Sequence, residues 1–105
     1  MQSGGHGHPA TWTAATRPRA IDSRLENSLR ELYRPTDKYP GGTAAAIREQ
    51  LATGHLIGGH DHLVKGQERA RRLENLLNSG RPLNQVDQAI AVEALMDLLN
   101  ALGGN

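Results

Sequence analysis

The sequence predicts an all-α fold, a compact bundle of about four helices spanning residues 21–105 behind a flexible leader of residues 1–20. Three observations predict it. A chain of 105 residues has room for one small domain. It contains no Phe and only 3% aromatic residues, so its core falls to Leu, Ile, Val and Ala, which suit packed helices better than a β-sandwich. Apolar residues also recur at helical spacing in successive stretches separated by Gly, Pro and Asn.

The leader, MQSGGHGHPATWTAATRPRA, mixes Gly, Pro, Thr and Ala without apolar periodicity and reads as mobile, the cut end of a longer polypeptide. Nothing in its pattern requires Trp12 to dock. The first helix opens at Ser23, which stands at capping-box spacing from Glu26, and carries the stripe Leu25, Leu29, Leu32 and Tyr33 until Pro35 ends it. The second follows Tyr39-Pro40-Gly41-Gly42, with Thr43 as N-cap, Ala44, Ile47 and Leu51 inward, and Gly54 beyond its end. HLIGGH is a short connector. Asp61 then caps a third helix running to about Asn78, closed by Gly80. The fourth starts near Asn84 and turns Val86, Ile90, Leu95, Leu98, Leu99 and Leu102 to one side. No internal repeat is evident.

Composition excludes several classes. Absence of Cys rules out disulfides and thiolate metal sites. No apolar run approaches a membrane span and no secretory leader is visible, so a soluble domain is expected. The net charge of +1 is no argument for nucleic acid, but the basic residues are unevenly placed. Residues 81–105 hold Arg81 alone against Asp87, Glu93 and Asp97.

The stretch Tyr39 to Arg69 concentrates the chemistry. At about 100° per residue, His62, Lys65, Arg69 and Arg72 fall in a band roughly 80° wide. That band runs along one shoulder of the apolar face formed by Leu63, Ala70, Leu73 and Leu77. A histidine there can act as general base or acid, and cations one turn away can hold a phosphate. These are the parts of a metal-independent ribonuclease. The plainer reading is a histidine at the core edge, with basic stems covering apolar surface, and helical position alone favours it. Arg48 and Glu49 on the second helix can join His62 and Lys65 if that helix packs on the start of the third; otherwise they are solvated surface charges.

His55, His60, Asp61 and His62 raise a metal hypothesis, since imidazole suits zinc or nickel. Neighbours at i and i+2 on a helix point apart, however, and no fourth ligand is obvious, so neither metal nor cofactor is expected. His6-Gly7-His8 can bind metal only adventitiously. Gly41-Gly42 and Gly58-Gly59 lack the setting of a phosphate loop, and tight turns explain them.

The strings PGGTAAAIREQLATG, GGHDHLVKGQERARRLENLL and VDQAIAVEALMDLLNAL resemble the C-terminal toxin modules of bacterial polymorphic toxins, of the contact-dependent-inhibition, haemagglutinin-like and Rhs types. The likeness runs from about Leu32 to Leu102. It implies a domain secreted as part of a larger bacterial protein and delivered to the target-cell cytoplasm. There it would cleave RNA, commonly tRNA, unless a cognate immunity protein neutralises it. The residues matching the pattern are Arg48, His62 and Lys65, with Glu49 as the nearest acid. The resemblance leads one to expect an acid two residues after the arginine, where this chain has Gln50. Arg69, Arg72, Thr43 and His60 complete the expected substrate contacts. The alternatives are a non-enzymatic helical module binding protein or nucleic acid, and a histidine-liganded metal hydrolase.

Overall fold

The computed structural model describes residues 12–34 and 41–104. Four helices follow in order: α1 (Ser23–Leu32), α2 (Gly42–Thr53), α3 (His62–Leu77) and α4 (Gln85–Leu102). The described residues contain no strand, only an isolated antiparallel bridge between Ile57 and His60 in the α2–α3 connector. The all-α bundle is therefore observed. The expected Pro35 stop, the Tyr39-Pro40 turn and the His6-Gly7-His8 tail lie outside the described residues.

α2 and α3 form an antiparallel hairpin. Thr43 faces Arg69, Ile47 faces Gly66, and Gln50 faces His62, so the partners run in opposite senses along the two helices. The approach is closest at Gly66, where a Cβ would lie 2.5 Å from Ile47 Cδ1 and 3.4 Å from Leu102 Cδ2. α4 thus meets the hairpin at the same point. Leu25, Leu29, Ile47, Leu73 and Leu98 are fully buried, with Ala44, Ala70, Ala91, Ala94 and Ala101 between them. Small residues at the crossings let the helices close without aromatic bulk.

Two features of the expected core are corrected. Valine contributes nothing to it, because Val64, Val86 and Val92 are all exposed. On α4 the inward positions are Asp87, Ile90, Ala91, Ala94, Leu98 and Ala101, while Val86 and Leu99 face out. Asp87 sets this phase: its carboxylate, 0% exposed, accepts from the Ile21 and Asp22 N–H groups at 3.2 and 2.8 Å. Turning Val86 inward would swing that carboxylate off its donors. Leu51 likewise points outward from α2.

The helix starts are also revised. Asp22, not Ser23, caps α1 by accepting from Arg24 N at 2.8 Å. Thr43 is not the cap of α2, which begins one residue earlier at Gly42 with no side-chain cap. Instead Thr43 is buried, its hydroxyl accepting from Arg69 and donating to the Leu32 carbonyl. Asp61 and Asn84 cap α3 and α4 as the sequence indicates, and Gly54 ends α2 in the left-handed conformation.

The second half of the expected leader, residues 12–20, is anchored. Arg17, 6% exposed, donates to both carboxylate oxygens of Glu26 at 3.1 and 2.7 Å. Trp12 stands edge-on to Tyr33 with ring centroids 6.1 Å apart. Residues 1–11 lie outside the described residues. Glu26 therefore does not close a capping box; its acceptors are taken by Arg17 and by the Ala20 N–H.

Two predictions follow from these contacts. Gly42 has φ +78°, and a Cβ there would lie 2.1 Å from the Leu32 carbonyl oxygen. Gly42→Ala is expected to lower unfolding free energy by roughly 2 kcal/mol or more in a urea titration, since backbone clash adds to left-handed strain. Glu26 is held down at about 2, chiefly by the Arg17 hydrogen bonds and then by the Ala20 N–H. Its folded value is depressed, so its contribution is complete above the ordinary 4.5 and is lost as pH falls toward about 2. Glu26→Gln should flatten that acid limb of a stability-versus-pH curve.

Candidate functional site

The site lies at the connector end of the α2–α3 hairpin. Gly58 and Gly59, both left-handed with φ of 61° and 77°, make the two-residue turn that folds Ile57 back on His60. The turn leaves His60 exposed and brings it beside the first residue of α3. The His60 and His62 rings stand edge to face with centroids 6.5 Å apart. Asp61 between them caps α3, its Oδ1 accepting from Leu63 N at 3.0 Å and Val64 N at 3.4 Å.

His62 is oriented on both sides. Its backbone N–H donates to Gln50 Oε1 at 2.8 Å, and its ring Nδ1 lies 3.2 Å from the His60 carbonyl. A carbonyl can only accept, so Nδ1 carries the proton of the neutral ring and Nε2 keeps the lone pair. Partial burial pushes the imidazole below its ordinary value, and the positive charges of Lys65, Arg69 and His60 push the same way. The His60 carbonyl opposes them. At neutral pH the ring is thus a neutral base with a defined tautomer. The Asp61 carboxyl is also held low, chiefly by the Gln50 amide and then by the Val64 and Leu63 N–H groups.

The other expected site residues separate into two groups. Lys65 and Arg69 lie on the His62 side of α3 and act on its charge. Lys65 is half-buried and joins no ion pair among the described residues. Arg69 reaches across to Thr43 Oγ1, and Arg72 pairs with Glu31 of α1, so these two also brace the bundle.

Arg48 is not brought to His62. It precedes Gln50 by two residues, about 200° around the helix, and so faces away from α3. Its guanidinium instead pairs with Asp97 of α4 at 2.8 Å, and reaches the Asp97 carbonyl at 3.4 Å. The Asp97 side chain is only 6% exposed. Tyr33 is close enough to feel both charges, its phenol pushed up first by burial and then by Asp97. Glu49 is half-buried and joins no ion pair among the described residues.

Sequence reasoning passed over Gln50 as a departure from the expected acid, although it is the residue of α2 that contacts both Asp61 and His62. Its spacing supplied a signal: twelve residues before His62, across a tight turn, an antiparallel hairpin brings the two positions level. Among the described residues no three His, Asp or Glu side chains converge as metal ligands would. None of the described helices is long and apolar enough to cross a membrane. Among the described residues, open grooves lie away from the histidines, including one of about 490 Å³ lined by Trp12, Pro18, Val86 and Ile90 and one of about 460 Å³ along Val64, Glu68 and Arg72 of α3. Compared with known proteins, the chain matches no family model, no curated protein and no solved structure.

The Arg48–Asp97 pair yields a test of its role. Arg48→Ala leaves a buried carboxylate without its guanidinium and is expected to destabilise the fold by roughly 2–4 kcal/mol. Arg48→Ala/Asp97→Asn should recover part of that loss in thermal unfolding. A variant as stable as the parent would free Arg48 for a role in binding.

Proposed function

We propose that this domain is the toxin tip of a bacterial polymorphic toxin and cleaves RNA, with tRNA the first candidate, without a metal ion. The observation that carries the reading is His62. Its hydrogen bond to the His60 carbonyl leaves Nε2 as the nitrogen with a free lone pair, and burial with nearby cations favours the neutral ring. The sequence likeness over residues 32–102 supports the biological setting: secretion within a larger protein, delivery into a target cell, and neutralisation by an immunity partner.

In this mechanism His62 Nε2 takes the proton of a ribose 2′-hydroxyl. The 2′-oxygen attacks phosphorus as the bond to the 5′-oxygen breaks, giving a 2′,3′-cyclic phosphate. His60, on the exposed turn 6.5 Å away, delivers a proton to the departing 5′-oxygen. Lys65 offsets the charge that builds on the phosphoryl oxygens, with Arg69 one turn further along α3. Arg48 takes no part at the phosphate, because it is committed to Asp97.

A second reading, a non-enzymatic module that binds protein, is favoured by one observation. Val92, Met96 and Leu99 are exposed at i, i+4 and i+7 spacing on α4, an apolar stripe on the outer face of the bundle. Its activity would be stoichiometric.

Incubation of the purified protein with total bacterial tRNA in EDTA tests the first reading. Discrete fragments ending in cyclic phosphate are expected, with a loss of at least about 100-fold in His62→Ala. The His60→Ala and Lys65→Ala variants should be slowed and should keep the parent's melting temperature. Full activity in His62→Ala would overturn the assignment, and intact RNA in every lane would favour the binding module.

A further inference from the structure

We propose that Gln50 is the positioning residue of the His62 site, its amide clamping Asp61 and His62 in one arrangement from the neighbouring helix. The proposal rests on the reading of His62 as the base, although the clamp itself can be tested without any RNA. Gln50 is 8% exposed and uses both ends of its side chain. Nε2 donates to Asp61 Oδ1 at 3.0 Å, and Oε1 accepts the His62 backbone N–H at 2.8 Å. The first bond holds the capping carboxylate that begins α3. The second satisfies a helix N-terminal donor and places the His62 backbone against α2.

At neutral pH an amide gives a hydrogen bond to a carboxylate and takes one from an N–H at the same time, which an ionised carboxylate of the same length cannot do. Glutamate would present two acceptors and set a second negative charge against Asp61. Leucine would fill the volume and satisfy neither partner. The acid expected at this position from the toxin likeness, when ionised, therefore conflicts with the Asp61 cap as built. Glutamine does not weaken the site; it allows a carboxylate cap and a neutral base to stand side by side.

The charged groups acting on the His62 ring are His60, Lys65 and Arg69, with Asp61 adjoining it, while from α2 the uncharged Gln50 amide bonds the His62 backbone N–H. Replacing that amide by a carboxylate adds an anion where the wild type has none. The imidazolium would be favoured, and a larger share of the base would be protonated at neutral pH.

The experiment is a set of three variants, Gln50→Leu, Gln50→Glu and the exchange Gln50→Glu/Asp61→Asn. The exchange reverses the polarity of one bond: an asparagine amide at 61 donates to the carboxylate at 50, whose other oxygen accepts from His62 N. Asparagine also remains a good N-cap. The readouts are NMR titration of the His62 ring, its tautomer from long-range nitrogen correlations, and hydrogen exchange of the His62 amide, beside thermal unfolding.

In Gln50→Glu the His62 midpoint is expected to rise by about one pH unit. Amide protection should fall at least tenfold in both single variants. The exchange should return protection and midpoint toward the parent's values. On RNA, Gln50→Glu should move the base limb of the pH–rate profile upward and lower kcat with little change in KM. A ring midpoint, tautomer and amide protection that stay at parent values in folded Gln50→Glu, or an exchange no better than the single variant, would overturn the proposal. If Gln50→Leu fails to fold, the glutamate variant and the exchange still decide. Should the parent cleave no RNA, the nuclease reading fails and the NMR readouts still test the clamp.

Discussion

The bundle depends on close approach at one point, where Ile47 of α2, Gly66 of α3 and Leu102 of α4 meet. A core without phenylalanine cannot fill wide gaps between helices, so the helices themselves must come together. Gly66 permits this by having no Cβ, and alanines continue it at residues 44, 91, 94 and 101. The antiparallel register of α2 and α3 follows from the same contact. Once Ile47 sits over Gly66, Thr43 falls beside Arg69 at one end and Gln50 beside His62 at the other.

That register divides the polar side chains by task. Arg69 and Arg72 reach Thr43 and Glu31, holding the end of the hairpin away from the connector to α1. Gln50, Asp61 and His62 interlock at the other end, where the connector returns. Arg48 belongs to neither end, because its position on α2 turns it toward Asp97 and the α4 side of the core. Other carboxylates do similar work. Asp87 collects the Ile21 and Asp22 N–H groups, and Glu26 collects Arg17, so the residues before α1 are tied to the body. A small apolar core gains from such ties, since each satisfies several donors that would otherwise be buried unpaired.

Much of this was legible in local signals. The caps at Asp61 and Asn84, the stop at Gly54 and the leucine periods of α1 and α3 depend on residues within a turn or two of one another, and the fold bears them out. The cap of α1 was misplaced by one residue because Asp22 and Ser23 are both good caps in sequence, and the choice lay with which of them reached Arg24 N. Thr43 looked like a cap for the same local reason. Its real partners, Arg69 and the Leu32 carbonyl, come from other helices. The candidate site was legible in part: His60, His62, Lys65 and Arg69 share one face or one turn, whereas Arg48 was assigned without knowledge of which face of α2 meets α3.

The sequence by itself determined four helices, their approximate ends, an aliphatic core and a histidine-bearing turn, because helix period, capping chemistry and glycine conformation act over a few residues. The tertiary structure decided the rest. Which of several apolar faces on α4 is buried was settled by Asp87 and its donors 65 and 66 residues away. Which partners the cations meet within the fold was decided by Asp97 and Glu31, which no local pattern links to Arg48 and Arg72. The meaning of Gln50 was settled by register, since hydrogen bonds act over about 3 Å and only packing brings their partners within reach.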